Sequence, residues 1–254
     1  MPPRLIFAAF YFELIKELIM SINFLSFVDT LYLNFVKDDR YMYIVNGLIT
    51  TLKITVLSVI IGIVIGVVCA VIKVAGKRNI VCKILGYVVD IYTTIFRGVP
   101  VMVQYLIAFV IIMPMMGIKS VFVAAVFTFG INSGAYVSEN IRAGIEAVDK
   151  GQEEAGRSLG FTYGKTMFLI ILPQAIKNIL PALGNEFIAL LKETSIAGTL
   201  GVIDLTKAAR IIQSQTYDGI VPLFTAAAIY LVIVLILTQL LKILERRLKK
   251  SDRN

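Results

Sequence analysis

Two stretches of this chain are long enough to cross a membrane and contain no charged side chain: residues 54–72, ITVLSVIIGIVIGVVCAVI, and residues 221–241, VPLFTAAAIYLVIVLILTQLL. A helix needs about 20 mainly apolar residues to traverse the hydrocarbon core. No water is available there for N–H and C=O groups, and a helix satisfies its own. The rest of the composition agrees. Hydrophobic residues make up 58%, charged ones 17%, and mean hydropathy is +0.84, against roughly 45–50% and about 25% in soluble domains. The chain is expected to be an all-α integral membrane protein rather than one or two soluble domains.

Three further runs are imperfect. Residues 84–116 are interrupted by Asp90, Arg97 and Pro100; residues 118–137 form a second run; residues 167–191 are interrupted by Pro173, Lys177, Pro181 and Glu186. That makes five expected spans. Charge and proline at membrane depth cost several kcal/mol unless neighbouring helices or a wet cavity satisfy them. The imperfect spans are therefore the expected pathway helices, although Arg97 and Asp90 could also snorkel from span ends.

Basic residues orient the spans, because short cytoplasmic loops are enriched in Lys and Arg. One cluster, Lys73, Lys77, Arg78 and Lys83, follows the first span. A second, Arg142, Lys150, Arg157 and Lys165, lies between the third and fourth spans, and a third, from Lys242 to Arg253, ends the chain. Placing all three in the cytoplasm puts the C-terminus there and the N-terminus outside. The net charge of +8 is thus read as loops facing an anionic leaflet, with no nucleic-acid partner. Residues 1–40 are expected to be an N-terminal extension with an uncleaved interfacial helix, since Leu14, Ile15, Leu18, Ile19, Ile22 and Leu25 recur at helical spacing.

The residue types that are missing exclude whole classes of chemistry. The chain has no histidine, which removes His-based triads, histidine zinc motifs and histidine haem ligation. Cys69 and Cys82 are the only cysteines, too few for a disulfide framework or a thiolate metal site. No catalytic residue, metal site or cofactor is expected in this chain.

The stretch from Asn132 to Ser195 carries the most information. Between Gln152 and Gly164 it is densely charged, with glycines at 156, 160 and 164. A short polar helix broken at Gly160 has little of its own to bury, so it is either a solvated loop or a surface that docks on something else. Gly160, Gly164, Lys165 and Thr166 read G-x-x-x-G-K-T, one residue short of a P-loop. The buried strand that must precede a P-loop is also missing.

These residues carry a resemblance. GQEEAGRSLG, followed by IILPQAIKNILPALGNEFIALLKETS, is similar to the EAA loop and following helix of permease subunits of ATP-binding-cassette (ABC) importers for polar amino acids. RGVPVMVQY from Arg97 and NSGAYVSE from Asn132 resemble the same family, and the likeness covers about residues 40–250. It implies a type I ABC importer permease domain over residues 41–250, with a cytoplasmic coupling loop at 139–166. Gln152, Glu153, Glu154, Ala155, Gly156, Leu159 and Gly160 would meet an ATPase subunit, Leu159 as an apolar anchor and Gly160 as the turn. Gly156 stands where the motif has its second alanine, and is expected to loosen the helix by about 1 kcal/mol.

The resemblance further implies a cytoplasmic ATPase dimer that binds ATP and Mg, and a second permease copy or a related chain. It also implies an external or periplasmic amino-acid-binding protein and a place in the bacterial cytoplasmic membrane. The rival expectation is a secondary transporter driven by an ion gradient, for which an inverted repeat would be the sign.

For the substrate path, Asn132, Tyr136 and Glu139 share one helix face at i, i+4 and i+7, unless Glu139 simply ends the third span. Gln104, Asn185 and Glu186 complete the candidates, Glu186 as a possible partner for a substrate ammonium. Gly62 and Gly66, and Gly130 and Gly134, each form G-x-x-x-G, a spacing that allows close backbone approach within one subunit or across a dimer.

Overall fold

The computed structural model describes residues 26–75 and 80–250. Helix α1 is Tyr41–Ala75, α2 Ile80–Gly98, α3 Val101–Met115, α4 Val121–Glu146 and α5 Lys150–Ser158. Helix α6 is Tyr163–Leu200, α7 Leu205–Thr216 and α8 Val221–Lys250. Among the described residues four helices, α1, α4, α6 and α8, are long and apolar enough to cross a membrane, and the bent pair α2–α3 makes a fifth if its two helices count as one span. The expected interfacial helix around Leu14–Leu25 lies outside the described residues.

The two G-x-x-x-G pairs hold the bundle together, and they act within one chain. A β-carbon at Gly62 would lie 2.9 Å from Ser133 Cβ, and one at Gly66 would run into Val137. From the other side, one at Gly130 would lie 2.8 Å from Ile61 Cγ2 and one at Gly134 2.8 Å from Ile65 Cγ2. Each pair thus receives the branched or small side chains of the opposite helix, and α1 and α4 pack backbone to backbone. Around this seam, Ile54, Ala124, Ala125, Phe129 and Leu190 form the main core with Tyr105 of α3.

Several boundaries differ from expectation. The span read at 54–72 belongs to a 35-residue helix starting at Tyr41, about 52 Å long at 1.5 Å per residue, because residues 41–53 continue its helical packing. The run at 84–116 is two helices bent by 106°, since Pro100 lacks an N–H and forces its predecessor out of the helical region. The third span runs on to Glu146, so Glu139 lies inside it rather than ending it. Within residues 139–166 the non-helical backbone is confined to the turns on either side of α5.

Helix α6 also changes form. Its regular part ends at Glu193 and tightens into a 3₁₀ segment, Thr194–Leu200; Gly201 then turns at φ 103°. Asp204 caps the new helix α7 by accepting the N–H groups of Thr206 and Lys207. Helix α7 runs back along α1: Leu205 N–H donates to Thr51 Oγ1 at 3.1 Å, and Ala208 abuts Gly47. Beyond α7, the fully buried Asn34 donates to Asp218 Oδ2 at 2.7 Å and accepts from Thr216 Oγ1 at 2.9 Å. Asn34, with Phe35 packed against the cluster around Leu205 and Ile212, thus ties the described part of residues 1–40 to the helical domain.

Candidate functional site at two broken helices

Breaking a helix at Pro100 frees carbonyls that must find donors at membrane depth. Gln104 Nε2 donates to Phe96 O at 2.9 Å and to Val99 O at 2.7 Å. Asn132 Nδ2 reaches Phe96 O at 2.7 Å from α4, and also Gln104 Oε1 at 3.2 Å. Both amides are buried. Two expected path residues are thus committed to holding the break, and Asn132 ties it to the central helix.

The α2–α3 break and the end of regular α6 face one another across a cavity of about 240 Å³, lined by Arg97, Pro100, Asn132, Tyr136 and Glu193 among others. The Arg97 guanidinium sits over the Tyr136 ring, 5.4 Å from its centroid, a cation–π arrangement that leaves Arg97 half-exposed. A cation and a carboxylate therefore line the same small space, supplied by the two broken helices.

Glu139, one turn beyond Tyr136, belongs to an ion cluster instead. Lys73 Nζ approaches its Oε1 at 3.2 Å, Arg142 its Oε2 at 2.7 Å, and Arg97 Nη1 the same Oε2 at 3.7 Å. Lys73 also pairs with Asp90 at 2.6 Å and Arg142 with Glu146 at 2.6 Å. The interruptions at Asp90 and Arg97 are thus paired across α1, α2 and α4 instead of standing alone in lipid.

Glu186 and Asn185 fall outside the cavity lining. Glu186 Oε1 accepts from Ser133 Oγ at 2.9 Å, and among the described residues no cation pairs with it. Asn185, about 100° further round the helix, is exposed. Sequence reading missed Arg97 and Glu193 as cavity residues. The available signal was a charge three residues before an intramembrane proline, which marks a break that exposes polar backbone.

The loop between α4 and α6 is a built structure. Asp149 caps α5 by accepting Gly151 N–H at 2.7 Å. The helix closes with Phe161 N–H donating to Gly156 O and Gly160 N–H to Arg157 O, Gly160 standing at φ 82°, the Schellman arrangement that favours glycine. Gln152, Glu154, Ala155 and Leu159 are exposed, Leu159 at 75%, while Glu153 is half-buried. Gln152 Oε1 also accepts from Gln174 Nε2 at 3.1 Å, holding the helix to α6.

Gly156 faces inward, and a β-carbon there would lie 2.7 Å from Thr166 Cγ2 and 2.9 Å from Ile170 Cδ1. Close approach, rather than a looser helix, accounts for glycine at this position. The segment resembling a P-loop, 160–166, runs from the turn after α5 into the first turn of α6, which Thr162 caps by accepting the Lys165 N–H at Oγ1.

Comparisons with known proteins give a consistent answer. Residues 62–250 match the family described as binding-protein-dependent transport system inner membrane component. A Rickettsia bellii chain named as a glutamine transport system permease protein is 45% identical over 212 residues, covering 83% of this chain and 95% of its own length. The arginine transport system permease protein ArtQ of Bacillus subtilis is 44% identical over 211 residues, covering 83% and 94%. Among solved structures, the crystal structure of an amino acid ABC transporter with histidines aligns at TM-score 0.76 and 45% identity, covering 84% of this chain and 98% of that one.

Proposed function

The chain belongs to the binding-protein-dependent transport permeases and is a permease subunit of an amino-acid ABC transporter; from that premise we propose that it forms half of a dimeric import pore whose small cavity receives the substrate's charged ends. In this proposal α5 docks in a cleft of a cytoplasmic ATPase, with Leu159, Ala155 and Glu154 at the contact. ATP and Mg bind that partner, and an external binding protein delivers the amino acid. The basic residues at Lys73, around α5 and after Lys242 support a cytoplasmic C-terminus in a bacterial inner membrane. Closure of two ATPases would draw the two α5 helices together and swing the rigidly packed α1–α4 pair between inward and outward access.

One observation carries the substrate reading: Arg97 and Glu193 line a single cavity from two broken helices. A zwitterion needs one cation for its carboxylate and one anion for its ammonium, and an unmatched charge at this depth would cost several kcal/mol. Broken helices framing a mid-membrane site are also found in ion-driven transporters. Family membership over most of the chain favours the ATP-driven reading here. The test is equilibrium binding of labelled L-amino acids to the assembled transporter in nanodiscs. Arg97→Met and Glu193→Gln should each weaken binding about tenfold or more, and unchanged affinity in both would overturn the cavity as the site.

A further inference from the structure

Glu139 has more cations than it needs. Lys73 occupies its Oε1 at 3.2 Å, and Arg142 occupies Oε2 through two nitrogens, at 2.7 and 3.2 Å. Arg97, at 3.7 Å, is the longest of the three contacts and is more exposed than Lys73, 44% against 18% for the side chains. The groups facing Glu139 come from three helices: Lys73 on α1, Arg97 on α2 and Arg142 on α4. Asp90 and Glu146 engage Lys73 and Arg142 from the far side. Arg97 alone also faces the cavity.

We propose that Lys73 and Arg142 are positioning residues for substrate: by satisfying both oxygens of Glu139 they leave Arg97 free to turn to a carboxylate in the cavity. The inference rests on the cavity reading above. When Arg97 swings to a ligand, Glu139 keeps two cations and is not left as an unpaired charge, so the exchange costs little. If Lys73 is removed, Oε1 is open and Arg97 becomes its nearest replacement. The ligand must then compete with an intramolecular carboxylate for the same guanidinium. Affinity for an amino acid is therefore set partly by a lysine on α1 that is absent from the cavity lining.

The experiment compares variants of the assembled transporter in nanodiscs, with a labelled mixture of the common L-amino acids as probe and co-purification of the ATPase subunit as the check on folding. Lys73→Met should weaken binding about tenfold, a coupling of ordinary size for neighbouring charges. Adding Glu139→Gln should return affinity to within about threefold of the parent, because the competing carboxylate is gone. Arg142→Gln, which opens Oε2, should act in the same direction as Lys73→Met and serves if that variant fails to assemble. Unchanged binding in both single variants overturns the proposal. So does a double variant as weak as the single one, the result a purely structural role would give. Arg97→Met separates the two levels: if it too leaves binding unchanged, the cavity reading fails; if it alone abolishes binding, only the role of Lys73 and Arg142 fails.

Discussion

Gly156 on α5 lies so close to Thr166 at the start of α6 that a β-carbon would stand 2.7 Å from the threonine Cγ2. The contact fixes how far α5 stands from the membrane bundle. Gly156→Ala gains about 1 kcal/mol of helix propensity but loses about 1–3 kcal/mol to overpacking, so packing is expected to win. The variant should lower ATP-coupled uptake in proteoliposomes, and adding Thr166→Ser with Ile170→Val, which delete the two methyls a β-carbon would meet, should recover most of it. Full uptake by the single variant would show that α5 shifts without consequence.

Gly160 presents the opposite case. Nothing lies within 4 Å of where its β-carbon would be, so the cost of Gly160→Val is the left-handed backbone alone, about 1–2 kcal/mol. Insertion and the helical bundle should survive, while the end of α5 and the aim of Leu159 change. ATPase activity of the complex should continue with uptake sharply reduced; normal uptake would remove this turn from the coupling path.

Glu186 is not expected to discriminate substrates by charge. It accepts a hydrogen bond from Ser133 and lies outside the Arg97 cavity. Glu186→Gln can keep that bond, so uptake of cationic and neutral amino acids should change by the same factor. A selective loss for cationic substrates would bring Glu186 back to the pathway.

Asp218 gives the far end of the molecule a defined pH response. The backbone N–H groups of Ile220 and Val221, with Asn34 Nδ2, hold its carboxyl below the ordinary value of 3.8. A depressed native pKa means the stabilisation is present above the ordinary value and lost as pH falls through the lower one. Amide protection at Ile220 and Val221, corrected for intrinsic exchange, should hold from about pH 8 to about pH 5 and fall only below about pH 4. Loss near about pH 6 would mean that another group controls the tip.

The membrane class and the short polar helix α5 were legible because their signals are local. Charge-free runs report burial in lipid whatever surrounds them, and the resemblance at GQEEAGRSLG covers consecutive residues. The G-x-x-x-G pairs showed that backbones approach closely but not which helices meet. The structure pairs Gly62 and Gly66 of α1 with Gly130 and Gly134 of α4. Gln104 and Asn132 look alike in sequence whether they face a ligand or a free carbonyl; the bend at Pro100 gives both a carbonyl to bind, and Asn132 lines the cavity as well.

From the sequence alone follow a helical membrane protein, a short polar helix interrupted at Gly160 and the absence of histidine chemistry. These depend on residue type and on spacing within a few turns. The tertiary structure decided that Arg97 and Glu193, nearly a hundred residues apart, share one cavity, and that Glu139 belongs to an ion cluster. Those encounters depend on a 106° bend at Pro100 and on the 3₁₀ turn after Glu193. A proline marks where a helix can break, but the direction in which the chain continues is set by packing against helices distant in sequence.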